Sequence, residues 1–202
     1  MPFRRPLRLI FARLRAAVGR VGALRSDMNK TEIRKTVRER VAHLSDREKL
    51  RAAEALFDRI ERSEAFARAA CVALYASLPD EVPTHEVIER WAAVKRVVLP
   101  RVEGDTMRFF DYDPATMRRG SFGIDEPEAE GECTPDAIDL IIIPARAFTP
   151  EGVRLGRGKG YYDRYMSQPG FAAYKVGVAF GCQIFDSLPF EDHDIKADEV
   201  VY

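Results

Sequence analysis

The run Ile138-Asp139-Leu140-Ile141-Ile142-Ile143 limits most tightly what this chain can fold into. It is nearly continuous in apolar residues and ends at Pro144. A strand with one wet face alternates apolar and polar residues. A nearly unbroken run belongs to a strand covered on both faces, as in a parallel sheet held between helical layers. Four other stretches extend the pattern. Ala70 to Ala76, with Val72, Leu74 and Tyr75, reads as a buried strand, and Val94 to Leu99 as another, stopped by Pro100. Met107 to Tyr112 follows the turn Glu103-Gly104-Asp105 and pairs with its predecessor as a hairpin, and Tyr174 to Phe180 is the last clear strand.

Helical patterns lie between these strands. Ile33, Val37, Val41 and Leu44 mark one face of a first helix. Ser45-Asp46-Arg47-Glu48 is a capping box that opens a second helix, with an apolar face of Leu50, Ala53, Phe57 and Ile60. Thr84 caps a third helix through Trp91, turning Val87, Ile88 and Trp91 inward, and Tyr161 to Gln168 reads as a fourth. Arg118 to Glu132 reads as a polar loop holding Phe122 and Ile124, and Phe190 to Tyr202 as an acid-rich tail. Strands alternating with helices give an α/β fold of three layers, α/β/α, with a mainly parallel, Rossmann-like sheet. Ligands of such sheets bind beyond the carboxyl ends of the strands. Three pieces are expected at such ends: Glu81, the segment from Pro144 to Asp163, and Phe180 to Gln183.

Within the second piece, Arg154-Leu155-Gly156-Arg157-Gly158-Lys159-Gly160-Tyr161-Tyr162-Asp163 alternates three glycines with two cations ahead of a helix. Glycines let backbone N–H groups approach a ligand closely, and a helix start adds unpaired donors and a positive dipole end. A polyphosphate suits that chemistry; solvated cations on a glycine turn are the plainer alternative. Two standard motifs are excluded. Gly152 lies one residue too far from Gly158-Lys159 for a Walker loop, and Gly160 stands where that loop needs Ser or Thr. The even spacing of Gly156, Gly158 and Gly160 also fails the dinucleotide fingerprint.

Lysine and arginine balance aspartate and glutamate over the whole chain, but residues 1–27 hold seven arginines and one acid, net +6, which leaves the remainder net −6. A mildly acidic body does not look like a general nucleic-acid binder. Residues 1–28 read as a basic extension. Leu7, Ile10, Phe11, Leu14, Val18 and Val21 have helical spacing, so a transit peptide or membrane-surface helix is one reading. An unstructured extension, or an upstream start with Met28 as the true one, is the simpler reading. The cysteines Cys71, Cys133 and Cys182 have no metal-ligand spacing and imply no disulfide framework, which fits a reducing cytosol; Cys71 and Cys182 lie in apolar strand-like runs and read as core residues. No apolar run approaches a membrane span. His43 and His85 read as helix-surface residues, and His193 is not read as catalytic.

Several pieces, in order over residues 29–202, resemble the 5-formyltetrahydrofolate cyclo-ligase (methenyltetrahydrofolate synthetase) family. They are Lys30 and Arg34; Glu81-Val82-Pro83-Thr84; Leu99-Pro100-Arg101; Phe122-Gly123-Ile124-Asp125-Glu126-Pro127; the run from Gly152 to Asp163; and His193-Asp194 with Ala197-Asp198-Glu199. The R-L-G-x-G-x-G-Y-Y-D string is the most specific of them. One departure is clear. The family usually reads P-G-x-A-F-D before the glycine loop, where this chain has Pro144-Ala145-Arg146-Ala147-Phe148-Thr149, without the glycine and the aspartate and with an extra cation.

The resemblance implies an ATP- and Mg2+-dependent enzyme of the cytoplasm that cyclises 5-formyltetrahydrofolate to 5,10-methenyltetrahydrofolate. It further implies a monomer with small-molecule substrates, no nucleic acid and no stable membrane association. ATP contacts would come from Lys30, Arg34, Arg154, Leu155, Gly156, Arg157, Gly158, Lys159, Gly160, Tyr161 and Tyr162. Lys159, Arg157 and Tyr161 would be catalytic, and Glu81, Ala76, Phe122, Arg157 and Tyr161 would meet the folate. Asp163 and Asp194 match the family's magnesium positions. A carboxylate such as Glu81 suits the amino-pyrimidine edge of a pterin because it accepts two hydrogen bonds. The alternative is a folate- or nucleotide-binding relative without turnover, motivated by the departure at Ala145, Arg146 and Thr149. A second rival is a peripheral or RNA-associated protein acting through the basic N-terminus.

Overall fold

A computed structural model describes residues 28–120 and 123–202. The basic extension and Phe122 therefore lie outside the described residues. Eleven strands and five α-helices are built from the rest. Seven strands form one sheet in the order β11 (Glu199–Val201), β10 (Tyr174–Val178), β7 (Leu140–Ile143), β1 (Cys71–Ala73), β2 (Arg96–Glu103), β3 (Thr106–Asp111) and β6 (Glu132–Cys133). From β11 to β2 every pairing is parallel; β3 and β6 add an antiparallel edge. The fold is the expected α/β class with a mainly parallel sheet.

Burial follows the pleat. Leu140 and Ile142 pack toward α1 (Lys30–Ala42), α2 (Asp46–Glu61), α3 (Glu64–Arg68) and α4 (His85–Ala92), joining Val37, Phe57, Phe66 and Trp91. Ile141 and Ile143 face the other way, with Phe109 and with Tyr165 and Met166 of α5 (Tyr161–Met166). All four β7 residues have no exposed surface, as the unbroken apolar run requires. The helix starts are chemically marked. Ser45 and Glu48 exchange the expected capping bonds. Asn29 and Glu32 form a second capping box at the start of α1, unnoticed in the sequence.

Several expectations need correction. Leu50 is exposed and Leu56 takes its place on the buried face of α2, because Ala53, Leu56, Phe57 and Ile60 centre the apolar stripe and leave Leu50 at its margin. Thr84 precedes α4 but makes no side-chain cap; its hydroxyl donates instead to the Tyr75 carbonyl at 2.6 Å. Strand β2 does not stop at Pro100. The Val97 carbonyl faces β3 and the Val98 carbonyl faces β1, so Pro100, in register with Val98, points its missing donor past the end of β1, where nothing needs it. The stretch read as a loop from Arg118 to Glu132 contains β5 (Asp125–Pro127), paired with β4 (Met117–Arg119), and then β6. The acid-rich tail closes the sheet as β11. These short edge strands carry too few alternating apolar residues to register in the sequence. Helix α5 ends at Met166 rather than Gln168. Cys182 lies in a single helical turn, Gly181–Gln183, and not in a strand; Cys71 and Cys133 are buried with their sulfurs 3.9 Å apart. No helix among the described residues is long and apolar enough to cross a membrane.

Candidate active site

Strands β1, β7 and β10 are parallel neighbours, so their carboxyl ends share one edge of the sheet. The segment after β1 is fixed by a buried polar knot. The Thr84 hydroxyl accepts from the Ser77 N–H at 3.0 Å, the Thr84 N–H donates to the Ser77 hydroxyl at 3.1 Å, and the Tyr75 hydroxyl donates to the Val82 carbonyl at 2.9 Å. Satisfied buried polar groups of this kind hold a loop in one geometry. They present Asp80 and Glu81 at the sheet edge, with Ala76 half-buried inside the same turn. Glu81 Oε2 accepts from the Leu78 N–H at 3.0 Å.

The glycine loop rises from a two-stranded hairpin, β8 (Ala147–Phe148) with β9 (Arg154–Leu155). The departures from the family pattern are absorbed locally. The Thr149 hydroxyl accepts from the Val153 N–H at 3.3 Å, and Gln183 donates to the carbonyls of Ala145 and Arg146, each at 3.0 Å. Gln183 therefore supports the loop from behind, while Phe180, Gly181 and Cys182 line a 340 Å3 cavity with Leu56, Arg59 and Tyr202, which no residue of the glycine loop lines.

Arg34 of α1 reaches the loop, donating from Nε to the Gly156 carbonyl at 2.9 Å. Gly158 has φ +101 and Gly160 has φ +68, in the left-handed region open to glycine, and a side chain on Gly158 would approach the Arg34 guanidinium at 3.4 Å. Leu155 is buried and serves packing. Arg154 is also buried, donating to Asp163 Oδ1 and, at 3.0 Å, to the Ile195 carbonyl; the Ile195 N–H donates to the same Asp163 oxygen at 3.0 Å. Lys159 is exposed and its ammonium makes no ion pair among the described residues. Its carbonyl accepts from Arg164 at 2.8 Å, and Arg164 also donates to the Asp105 carbonyl at 2.8 Å. The Tyr161 hydroxyl donates to the Gly104 carbonyl at 3.1 Å. Tyr161 thus ties the loop to the β2–β3 turn. Tyr162 stands closer to the acid: burial first, then the Glu81 charge, pushes its phenol well above the ordinary range, with Arg154 opposing.

Arg157 joins the two loops. Its Nε donates to Glu81 Oε1 at 2.9 Å, Nη2 lies 2.8 Å from the same oxygen, and Nη2 also donates to Asp80. Asp80 in turn accepts from Arg146. Burial works to raise the Asp80 pKa, but the bonds from Arg157 and Arg146 outweigh it and hold the carboxyl below its usual range. Lys30 lies elsewhere on α1 and pairs with Glu191 at 2.7 Å and Asp194 at 3.5 Å rather than with the glycine loop. Its pKa is raised, chiefly by the Glu191 bond and against some burial.

The structure therefore gathers Glu81, Ala76, Arg34, Arg157, the three glycines and Lys159 at one edge, with Arg154, Leu155 and Asp163 forming the loop's base. Asp80 and Arg164 were not singled out in the sequence, and Tyr75 was read only as a strand residue. Asp80 adjoins Glu81 and Arg164 follows Asp163, but neither lies in a spacing that announces a role. Among the described residues no three acidic, histidine or cysteine groups form a metal cage. A magnesium ion held mostly by phosphates needs only one or two carboxylates. Asp163 and Asp194 are carboxylates of that kind, but Asp163 already pairs with Arg154 and accepts the Ile195 N–H, and Asp194 pairs with Lys30 and accepts the Glu191 N–H.

Residues 26–202 match the model of the 5-formyltetrahydrofolate cyclo-ligase family. A probable 5-formyltetrahydrofolate cyclo-ligase of Caenorhabditis elegans is 31% identical, over 86% of this chain and 92% of the relative. The 5-formyltetrahydrofolate cyclo-ligase of Mus musculus is 30% identical, over 86% of this chain and 93% of the relative. The solution structure of Aquifex aeolicus 5,10-methenyltetrahydrofolate synthetase is similar with a TM-score of 0.78 and 36% identity, covering 86% of this chain and 89% of that one.

Proposed function

Because the chain belongs to the 5-formyltetrahydrofolate cyclo-ligase family, we propose that it cyclises 5-formyltetrahydrofolate by way of a phosphorylated formyl oxygen. In this reading the formyl oxygen attacks the terminal phosphorus of ATP and ADP departs. A neighbouring folate nitrogen then attacks the activated carbon, the carbon–oxygen bond breaks, and phosphate leaves with the former formyl oxygen. The products are 5,10-methenyltetrahydrofolate, ADP and phosphate. Phosphoryl transfer of this kind needs positioning and charge neutralisation rather than a protein nucleophile.

The juxtaposition of the glycine loop with the buried acid Glu81 carries this reading, since the reaction needs a group that holds polyphosphate beside one that accepts from a pterin. Backbone N–H groups from Gly156 to Tyr162, with the charges of Arg34, Arg157 and Lys159, would hold the triphosphate; Lys30 would add a more distant cation. Lys159 would be the catalytic cation, well suited to meet charge that develops in the transition state because no carboxylate among the described residues pairs with it. Glu81, with Ala76, Tyr161 and Phe122, would take the folate. Asp163 and Asp194 would hold a magnesium ion, which would add neutralisation of phosphate charge.

The test is the absorbance of the methenyl-folate band with purified protein, 5-formyltetrahydrofolate, magnesium and ATP. A rise that disappears when ATP or magnesium is left out is expected. No rise, with folate and ATP still binding in calorimetry, would replace this reading with that of a binding protein without turnover.

A further inference from the structure

We propose that Arg146 is a further positioning residue of this site, which acts through Asp80 to commit Arg157 to Glu81. Arg146 stands at the variable place of the segment before the glycine loop, and its side chain is only 14% exposed. Its backbone is held from both sides: its N–H donates to the Leu155 carbonyl at 2.8 Å, and its carbonyl accepts from Gln183 at 3.0 Å. The guanidinium is thereby aimed at Asp80 Oδ2, while Asp80 Oδ1 faces Arg157.

The reason lies in how guanidinium groups are shared. Asp80 and Glu81 are adjacent carboxylates, and Arg157 bonds to both. A guanidinium prefers to grip one carboxylate with two parallel donors. Without a second cation, Asp80 would compete with Glu81 for that grip. Arg146 satisfies one Asp80 oxygen, so two cations balance two acids and Arg157 keeps Nε on Glu81 Oε1 while Nη2 bridges that oxygen and Asp80 Oδ1. Glu81 is then fixed in position. The consequence for folate rests on the proposed role of Glu81: the link should govern folate affinity more than turnover or ATP affinity.

Arg146→Met is compared with wild type and with Arg146→Met/Asp80→Asn. Calorimetry should give a folate Kd raised about tenfold in the single variant and returned to within about threefold of wild type in the double, because removing the competing charge frees Arg157 again. The KM for ATP should move less than the folate Kd, because Arg34 and Lys159 still stand at the glycine loop. A separate readout uses no ligand: the Arg157 Nε–H resonance should shift and exchange faster in Arg146→Met and recover in the double variant. An Arg157 resonance unmoved by Arg146→Met overturns the proposal, as does a folate Kd that the second substitution fails to restore. Should Arg146→Met not fold, Arg146→Lys keeps the charge without the fork, and the same resonance decides. Movement of the resonance in a protein that binds no folate in any form, wild type included, would leave the positioning role standing and refute the proposed function instead.

Discussion

Arg154 and Arg157 belong to one glycine loop, yet they occupy different environments. The Arg154 side chain is 4% exposed, bound to Asp163 and to the backbone at Ile195. The Arg157 side chain is 34% exposed and bridges to the acids of another strand end. The first ties the base of the loop to α5 and the carboxyl-terminal segment. The second stands where a ligand can compete for it. The same residue type in one motif is thus buried scaffold at one end and, in the proposed function, ligand-facing at the other, and local burial separates the two.

The largest effect expected is at the scaffold end. Arg154→Met should cost about 3–5 kcal/mol in urea unfolding, because it strands the partly buried Asp163 charge; adding Asp163→Asn should recover most of that loss. Wild-type stability with lost turnover would move Arg154 into the chemical half. Next is Lys159→Ala, for which steady-state kinetics should show kcat lower by about 100- to 1,000-fold. Its unfolding free energy should stay within about 0.5 kcal/mol of wild type, as at an exposed position. Near-normal turnover there would collapse the comparison.

Gly158→Ala probes the boundary between the two ends. Forcing an ordinary residue to φ +101 should cost about 1–3 kcal/mol, read by thermal unfolding, with turnover lost as the loop shifts against Arg34. Thr149→Val should cost only about 0.5–1.5 kcal/mol and leave kcat unchanged, since it removes one hydrogen bond at the foot of the hairpin.

The smallest effect is the pH dependence that Asp80 adds on the Arg157 side. The folded pKa of Asp80 is depressed, so its contribution to stability is complete above the unfolded carboxylate value of about 3.9 and is lost as pH falls through the lower folded value. Melting temperature should drop below about pH 4, and Asp80→Asn should flatten that limb. An unchanged acid limb would mean that the bridge to Arg157 does not hold in solution.

Much of the frame was legible in the sequence because burial leaves a pattern. The apolar run at Leu140–Ile143 marked a covered strand, and the Ser45 box marked a helix start. β4, β5, β6 and β11 were not legible, since two or three residues of pairing at an edge need no periodicity. At the site, the glycines and cations of the loop stood out through their spacing. Glu81 did not: a lone loop acid looks like any other until the fold sets Arg157 beside it. The Arg146–Asp80 link was illegible for the same reason, because it joins residues far apart in the chain that meet only after two strand ends are brought side by side.

The most direct test of the central claim follows one atom. Tetrahydrofolate carrying a heavy-oxygen-labelled 5-formyl group is turned over with unlabelled ATP, and the released phosphate is examined by mass spectrometry. Transfer of the formyl oxygen to phosphorus predicts that each methenyl product is matched by one phosphate bearing the label. Unlabelled phosphate alongside methenyl product would contradict it.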